Sequence, residues 1–529
     1  MSLIRTAVRC AIAAAAAGAA ANGASALDIS TYNASTAVNV YLSGSTAVDN
    51  TITNAAIETA APGGLCTAGT VDIYYIGTTG SYTNRLIFCT GSATSGVSGQ
   101  PLAIFKESAV GSQNGVVPLY TVAGGGSSGV SFINPTVISN TLCAGADGGA
   151  VAANGNFGAY TNHSSCPSGD VSANVVPSAG FADVEPAILR TTVNGSVSTT
   201  LAGKYLNSGA TLDQIWAVAL TKNAYYALQA AEGFTSPSDS PANAPSLSKQ
   251  DVAGLISGNI FGWSDLGLSP TDNNVYICRR DYGSGTEASF EAYFLGERCG
   301  LSSLTVPAEG GGTVWANGSG GAMRSCLQHL YAGGTQTAFY ASSSPQSQTF
   351  PAGNQYAIGF INDEITLKNL TGAADSFRLV AVDGVGPTVA NVQNGYYPYF
   401  STGLYFEIKG GQTGAPTGST LTAVTHLLAV LGHPQFTHDS NAAYNGVLPW
   451  SPTLSTGDAS PAPLYAASNT PTIPATSTTA AANPTNVYTK ASSGSIDNCD
   501  TPVWDSGDLE GIQTTTVETK LLGTGQVND

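Results

Sequence analysis

The apolar positions of this chain form short runs typical of buried strands, and stretches with helical spacing follow several of them. The first run predicts a strand from Val38 to Leu42, then a tight turn, then a helix that begins near Ala47. Thr46 and Asp49 have the spacing of a capping box at the start of that helix. Further strands are predicted in the runs TVDIYYIG and PLAIFKESAV.

Another helix is predicted in SLSKQDVAGLISGNIFGWSDL, because Ser248 and Asp251 have capping-box spacing and the glycine at position 258 is a typical helix end. One face of this helix is apolar and carries Val252, Leu255 and Ile256. From the segment GFADVEPAIL onward, helices alternate with short apolar strands. This alternation predicts an α/β fold in which helices cover a largely parallel sheet.

The first 26 residues have the pattern of a secretory signal peptide. Arg5 and Arg9 precede an alanine-rich apolar run, and Ala24, Ser25 and Ala26 form a small-residue cleavage site. No later segment approaches the roughly 18 uninterrupted apolar residues of a transmembrane helix, so no membrane span is expected in the mature chain. The sequence therefore predicts export to the periplasm, the extracellular medium or the cell surface.

Charged residues make up only 10% of the 529 positions, and most of them are acidic. Removal of the signal peptide leaves 15 basic and 34 acidic residues, a formal net charge of −19. Such a surface repels nucleic acid and anionic lipid, so neither is expected as a partner. A basic site in this chain must be a local one.

Eight cysteines remain once the signal peptide is removed, and an even number in an exported chain favours disulfides. Cys66 and Cys89 are separated by 23 positions, and so are Cys143 and Cys166. Bridges within these two pairs are the simplest prediction.

For the other cysteines, a bridge between Cys299 and Cys326 is preferred. A bridge between Cys278 and Cys299 is less favoured, because the helix predicted between them would carry Cys299 away from the strand that holds Cys278. Cys499 suggests that the C-terminal region is tied back to the body. No C-x-x-C motif occurs and the five histidines are scattered, so neither zinc nor any other cofactor is expected.

The segment CRRDYGSGTEASF places two arginines directly before a turn rich in glycine and hydroxyl groups. The run VYIC predicts a strand before the turn, and Phe290, Tyr293 and Phe294 predict the buried stripe of a helix after it. The N–H groups at the start of such a helix attract an anion, to which the hydroxyls of Ser284 and Thr286 and a neighbouring arginine could also donate.

An ordinary capped helix is the alternative, since Ser284 and Glu287 also have capping-box spacing, and the motif alone favours this alternative. However, two other hydroxyl-rich turns follow predicted strands, LSGSTA at 42–47 and GSQNGV at 111–116. Ligands of open α/β sheets bind outside the carboxyl ends of the strands. The hypothesis is that the three turns converge on one anion.

The same segment resembles the arginine, glycine, serine, glycine and threonine loop of the periplasmic phosphate-binding proteins of ABC transporters. Other stretches resemble motifs of that family in the same order: YLSGSTA, VGSQNGV, GFADVEPAIL, SLSKQDVAGLISGNIFGWSDL, YAIGFI and LVAVDGVGPTVANVQNGYYPYF. The resemblance covers islands between about residues 38 and 410. It implies a two-lobed α/β periplasmic-binding-protein fold of type II, with mixed sheets flanked by helices and a ligand cleft between the lobes.

The resemblance also implies a set of ligand-binding residues: Thr46, the backbone of Ala47, Ser112, Asp183, Arg280, Ser284, Gly285 and Thr286. A carboxylate such as that of Asp183 repels an anion unless the anion carries a proton to donate. Hydrogen phosphate carries one and sulfate does not, so Asp183 would select for phosphate. The alternative for Asp183 is an ordinary loop acid or helix cap.

Three features depart from the family pattern. Tyr282 stands where the family usually has an aspartate that holds the arginine, and Asp281 lies one residue early. Ala47 replaces a usual phenylalanine, and the chain between Thr46 and Asp183 is much longer than in typical members. These departures bear on phosphate specificity more than on the fold.

The predicted organisation is a signal peptide and two lobes followed by an extension rich in Ser, Thr, Pro and Ala. The ranges are 1–26 for the signal peptide, 27–190 for the first lobe with a Gly/Ser-rich disulfide-stapled insertion at about 63–180, 191–375 for the second lobe, 376–450 for the return to the first lobe and 451–529 for the extension. The predicted function is capture of phosphate or a similar tetrahedral oxyanion for an ABC permease, without catalysis. The alternative is a secreted surface or structural protein that retains the fold without transport.

Overall fold

In the computed structural model, the described part of the chain comprises residues 27–433 and 436, with three short strands at 465–467, 488–489 and 503–504. The gaps within the first range are 61, 79–80, 110, 144–150, 154, 161, 191–196, 240–242, 297–305, 308–311, 339–345, 363–374, 388–390 and 392–395. The predicted signal peptide, Cys299 and Cys499 lie outside the described residues. No described helix is both long and apolar enough to cross a membrane.

Strands and helices alternate along the described chain. The strands are β1 Val38–Gly44, β2 Asp72–Thr78, β3 Ser81–Thr90, β4 Pro101–Glu107, β5 Phe132–Ile133, β6 Asn162–Ser165, β7 Val171–Ser172, β8 Ala179–Ala182, β9 Leu206–Thr221, β10 Ser246–Leu247, β11 Tyr276–Arg280, β12 Val314–Asn317, β13 Gly334–Ala338, β14 Gln346–Phe350, β15 Ala357–Asn362, β16 Phe377–Leu379, β17 Ala381–Val382, β18 Phe400–Ile408, β19 Tyr465–Ala467, β20 Tyr488–Thr489 and β21 Val503–Trp504. The α-helices are α1 Asp49–Ile57, α2 Val117–Ala123, α3 Thr199–Tyr205, α4 Lys222–Ala231, α5 Lys249–Ser257, α6 Gly285–Phe290, α7 Gly320–Ala332 and α8 Gly418–Leu431.

Most of the strands join in one hydrogen-bonded path, β12-β11-β15-β9-β18-β8-β1-β4-β3-β2-β6. The pairs β1 with β4, β1 with β8, β11 with β12 and β11 with β15 are parallel. The pairs that β9 makes with β15 and β18 are antiparallel, as is that of β3 with β4. The sheet is therefore mixed, rather than largely parallel as the alternation alone predicts.

The long strand β9 divides this sheet into two halves, which we call the first and second lobes. Its residues 206–215 pair with β18 beside the half that contains β8, β1 and β4, the first lobe. Its residues 216–220 pair with β15 in the half that contains β11 and β12, the second lobe. Strand β18 also runs between the lobes, because Phe400 packs in a second-lobe core and Phe406 in a first-lobe core. The α/β architecture with two lobes is confirmed.

Local predictions agree with the structure to different degrees. Helix α5 has the predicted capping box of Ser248 and Asp251, and its predicted apolar face is buried. The capping box predicted at Thr46 and Asp49 is wrong: helix α1 begins at Asp49 without a side-chain cap. The Asp49 carboxylate instead accepts from Ser108 Oγ at 2.7 Å and pairs with a buried lysine of β4.

Three disulfides staple the described residues. The bridges Cys66–Cys89 and Cys143–Cys166 confirm the prediction from spacing. The prediction that Cys326 pairs with Cys299 is wrong, because Cys326 is bonded to Cys278. Strand β11 and helix α7 pack together and bring the Cα atoms of Cys278 and Cys326 to 6.0 Å, a distance typical of a disulfide.

The third bridge thus depends on tertiary packing that the sequence spacing does not reveal. Both of its cysteines lie in the same buried cluster, with Met323 and Leu327 of α7 and Ile361 of β15. The bridge fixes α7 to β11, the strand that carries Arg279 and Arg280.

Candidate functional site

The turns singled out in the sequence all lie at the carboxyl ends of strands. Residues 45–48 follow β1, the short 3-10 helix Gly111–Gly115 lies three residues after β4, and Asp183 follows β8 directly. Residues 281–284 follow β11 in the second lobe and lead into α6. Because carboxyl ends of parallel strands meet at one edge of a sheet, the first-lobe turns are neighbours there.

The second-lobe turn contacts the first-lobe turns directly. The N–H of Gln113 donates to the carbonyl oxygen of Gly283 at 3.0 Å. A Cβ atom at Gly285 would lie 2.4 Å from Ser112 Oγ and 2.8 Å from Asp183 Cβ. Only a residue without a side chain fits at this approach. The structure therefore brings Ser112, Asp183 and Gly285 together across the two lobes.

Arg280 lies where the lobes meet and is 97% buried, with 3% of its surface exposed. Its Nη2 donates to Thr46 Oγ1 of the first lobe at 3.4 Å, and its Nη1 to Thr286 Oγ1 of the second at 3.2 Å. Its Nε and Nη2 also donate to the carbonyl oxygens of Asn317 and Gly318. Burial lowers the pKa of Arg280, and the negative charge of Asp183 is the largest opposing effect.

The two adjacent arginines have different roles because successive side chains of a strand point to opposite faces. Arg279 Nη1 donates to the carbonyl oxygens of Val306 and Pro307, and its Nη2 lies 3.4 Å from Glu287 Oε1. The side-chain contacts of Arg279 thus lie within the second lobe, whereas Arg280 also donates to Thr46 of the first lobe.

Asp183 is buried beneath the first-lobe turns. Its Oδ1 accepts a hydrogen bond from Ser45 Oγ, and its backbone N–H donates to Ser112 Oγ at 2.9 Å. Burial raises the pKa of Asp183, while the hydrogen bond from Ser45 and the charge of Arg280 oppose the rise. The raised pKa reflects how poorly this enclosed position solvates a carboxylate.

The N-terminal turn of α6 has a side-chain cap but not a complete capping box. Ser284 Oγ accepts from the Glu287 N–H at 3.4 Å, as in a capped helix. The carboxylate of Glu287 does not complete a capping box, because its Oε2 accepts from the backbone N–H of Arg280 at 2.8 Å. Glu287 therefore supports the end of β11.

Sequence reasoning missed two residues that shape the first turn. Ser45 Oγ donates a hydrogen bond to the Asp183 carboxylate and accepts one from the Ala47 N–H at 3.0 Å. The Ala47 N–H, which is expected from the sequence to face a ligand, therefore already has a hydrogen-bond acceptor. Lys106 is buried at the end of β4, and its Nζ donates to the carbonyl oxygens of Gly44 and Ser45 at 2.8 and 3.0 Å. In the sequence, the sign of this role is the lysine that directly follows the apolar run PLAIF.

The residues predicted from the sequence include several donors and one carboxylate, that of Asp183, and the charges of Glu287 and Asp281 also act on Arg280. The hydroxyls of Thr46, Ser112 and Thr286 and the guanidinium of Arg280 can each donate a hydrogen bond to an oxygen. The carboxylate of Asp183 can accept a hydrogen bond from an oxygen that carries a proton. No described group of three or more His, Cys, Asp or Glu side chains could hold a metal ion. Hydroxyl and guanidinium donors of this kind can hydrogen-bond to the oxygens of an anion.

No protein-family model matches this chain, and no curated protein matches it. Solved structures do align with it. A structure from Clostridium perfringens, assigned as a phosphate ABC transporter substrate-binding protein with bound phosphate, is 16% identical, covers 77% of this chain and 98% of its own, and has a TM-score of 0.38.

Two further structures align with the chain. The high-affinity periplasmic phosphate-binding protein PfluDING, bound with phosphate, is 14% identical, covers 77% of this chain and 89% of its own, and has a TM-score of 0.38. An ABC-type phosphate transport receptor from Vibrio cholerae is 16% identical, covers 48% and 74%, and has a TM-score of 0.28. Identities and TM-scores this low do not identify the ligand of this chain.

Proposed function

We propose that this chain is an exported solute-binding protein that captures phosphate, or a similar tetrahedral oxyanion, between its two lobes. The observation that carries the proposal is the position of Arg280, whose guanidinium is within hydrogen-bond distance of Thr46 in one lobe and Thr286 in the other. A single anion that replaced these weak contacts would be bound by both lobes at once. Charge-assisted hydrogen bonds from arginine to an oxyanion are among the strong ones in proteins.

Selectivity would come from Asp183. A raised pKa at this carboxylate makes it a ready partner for a ligand that shares a proton, because the proton removes the repulsion between two anions. Hydrogen phosphate and hydrogen arsenate carry such a proton at neutral pH, whereas sulfate does not. The site would therefore prefer phosphate and arsenate over sulfate.

Capture would proceed by closure of the lobes about β9 and β18, the strands that run through both. The contacts of Gln113 with Gly283 and of Gly285 with Ser112 belong to the closed arrangement. No bond of the ligand is broken. Delivery to an ABC permease after export is part of the proposal and would make the protein an uptake receptor.

A surface or structural role without transport is the second candidate. It agrees with the direct packing of Gly285 against Ser112 and Asp183, which joins the turns of the two lobes. It also agrees with the three disulfides. Such a protein would use the closed lobes as a rigid body.

Thermal unfolding of the ligand-stripped, disulfide-intact chain in the presence of phosphate, arsenate, sulfate or molybdate separates the two candidates. A ligand at about a thousand times its dissociation constant stabilises the native state by about 4 kcal/mol, a readily measured rise in Tm. The receptor proposal predicts a rise with phosphate and arsenate and none with sulfate. An unchanged Tm with every anion would favour the structural role.

A further inference from the structure

A cavity of about 100 Å³ lies in the first lobe, and none of its lining residues belongs to the proposed oxyanion site. Helix α1 contributes Asn50 and Asn54 to its wall, and strand β3 contributes Tyr82 and Arg85. Tyr160 and His163 also line it. None of these residues has a role in the function proposed above.

Arg85 is the charged group of this cavity, and it is 95% buried, with 5% of its surface exposed. Its Nη1 is fully engaged, because it donates to the carbonyl oxygen of Asp49 at 2.8 Å and to Thr53 Oγ1. Its Nη2 has a long contact of 3.4 Å with Asn50 Oδ1, and its buried Nε has no hydrogen-bond partner among the described residues. A buried donor without an acceptor is unfavourable.

The Nε and Nη2 atoms form one edge of the guanidinium, and this edge matches the two oxygens of a carboxylate. The opposite side of Arg85 is anchored to α1, so the group cannot easily turn away. The Tyr82 ring covers its face, with 4.6 Å between the ring centroid and Arg85 Cζ. Arg85 is therefore held in place with one bidentate edge weakly occupied.

The charge of the wall favours an anion. Among the described side chains that line the cavity, none is acidic, although the chain has 34 acidic residues and 17 lysines and arginines. The carboxylate of Asp49, whose carbonyl accepts from Arg85, is paired with Lys106 at 3.1 Å. No described lining carboxylate therefore neutralises Arg85 within the cavity.

Apart from Thr53 and Ile73, the rest of the wall consists of aromatic rings and amides. The ring centroid of His163 lies 6.0 Å from that of Tyr82 and 5.7 Å from that of Tyr160, both in edge-on geometry. Burial raises the pKa of Tyr160, so its phenol stays protonated and can donate. The rings provide a surface for a short hydrocarbon group, while the amides of Asn50 and Asn54 provide further polar contacts.

We propose that this cavity binds a small carboxylate of two or about three carbons, whose oxygens accept from Nε and Nη2 of Arg85 and whose carbon end lies against Tyr82, Tyr160 and His163. The volume of the cavity limits the size of the ligand. A water molecule occupies about 30 Å³ in the liquid, so the cavity has room for about three water molecules. The proposal does not rest on the function of the oxyanion site.

The test is titration of the full mature chain with sodium acetate and sodium propionate, with sodium chloride keeping ionic strength constant. The readout is the ring NMR signals of the histidines, of which the chain has five. The His163 signals are assigned from a His163→Gln variant. A matched titration with inorganic phosphate distinguishes a carboxylate site from a general anion site.

The proposal predicts saturable shifts of the His163 signals with either carboxylate in the wild type and in Arg280→Ala, which leaves this cavity intact. Arg85→Lys keeps the charge but loses the bidentate edge, and should weaken binding by about tenfold or more. Tyr160→Trp fills the cavity from its aromatic side without touching the anchor of Arg85, and should abolish binding even if Arg85→Lys folds poorly.

Three results would overturn the proposal. The first is the absence of saturable His163 shifts with both carboxylates in the folded wild type. The second is equal carboxylate affinity in the wild type and Tyr160→Trp. The third is phosphate binding at His163 as tight as that of acetate, which would replace the carboxylate class with a general small anion.

Discussion

Arg280 Nη2 and Thr46 Oγ1 lie 3.4 Å apart, although the two residues are separated by 234 positions and belong to different lobes. The same guanidinium donates to Thr286 of its own lobe at 3.2 Å. Both contacts are long for hydrogen bonds of a charged donor. A buried arginine with weak contacts to both lobes is well placed to bind an anion that enters between them.

Arg280→Ala is expected to weaken phosphate binding by about 2 to 4 kcal/mol, roughly 30- to 1000-fold, because it removes the only charged donor assigned to the anion. Arg280→Lys should recover part of the loss, since a lysine keeps the charge but not the bidentate geometry. Isothermal titration calorimetry with phosphate measures both effects.

The neighbouring Arg279 supplies a matched control. Arg279→Lys should lower the free energy of unfolding, because it disturbs the contacts with Glu287 and with the carbonyl oxygens of Val306 and Pro307. It should leave phosphate affinity within about threefold of the wild type, a change well below 1 kcal/mol. Equal losses of affinity in the Arg279 and Arg280 variants would argue against the separate roles assigned to them.

Asp183→Asn is expected to change how stability depends on pH. The folded-state pKa of Asp183 is raised above its ordinary value of 3.8 by burial, so its protonated form favours folding. The stability from this group is complete below pH 3.8 and is lost as pH rises through the raised pKa. The asparagine variant does not titrate, so its Tm relative to that of the wild type should increase with pH over this window.

Ligand-free thermal unfolding between about pH 4 and pH 8 measures this difference, and other buried acids such as Glu107 cancel because both proteins contain them. A difference in Tm that stays constant or shrinks as pH rises would be the wrong sign. The same variant should accept sulfate, since an amide can donate to an anion that has no proton.

Gly285→Ala is expected to hinder closure of the lobes. The new methyl group would lie 2.4 Å from Ser112 Oγ, closer than non-bonded atoms allow, so the turns must separate. Overpacking of this kind typically costs about 1 to 3 kcal/mol, and phosphate affinity should fall by roughly tenfold. Gly410→Ala is the control, because a Cβ there meets nothing within 4 Å.

Small-angle X-ray scattering with saturating phosphate complements the affinity measurement for Gly285→Ala. The variant should keep a larger radius of gyration than the wild type under the same conditions. An identical radius of gyration together with wild-type affinity would show that the close approach at Gly285 is not needed for binding.

The bridge between Cys278 and Cys326 is expected to contribute substantially to stability. Its loop of 48 residues corresponds to about 4 kcal/mol in the chain-entropy treatment of disulfides. The double variant Cys278→Ala/Cys326→Ala should lose about that much unfolding free energy in urea. Peptide mapping without reduction should recover a fragment linking Cys278 to Cys326, and a fragment linking Cys299 to Cys326 would contradict the packing of β11 on α7.

Local pattern was sufficient for many features of the fold. Alternating strands and helices predicted the α/β class, and the capping residues of α5 predicted where that helix begins. Regular spacing also predicted the bridges at Cys66 and Cys143. These features depend on residues close together in the chain, which is the information that a single sequence carries most directly.

Features that depend on tertiary packing were harder to predict from the sequence. The partner of Cys326 is set by the packing of α7 on β11. The capping box predicted at Asp49 failed because a long-range ion pair with Lys106 competes for the carboxylate. The roles of Ser45 and Lys106 in holding the first turn likewise depend on contacts between strands that are distant in sequence.

If the two lobes bind one phosphate at Arg280, equilibrium dialysis of the ligand-stripped mature chain against radiolabelled phosphate should find one phosphate per chain. Arsenate should displace this phosphate and sulfate should not, and Arg280→Ala should bind little. Folded wild-type protein that binds no phosphate, or an Arg280→Ala variant that binds it as well as the wild type, would show that Arg280 is not the centre of a phosphate site.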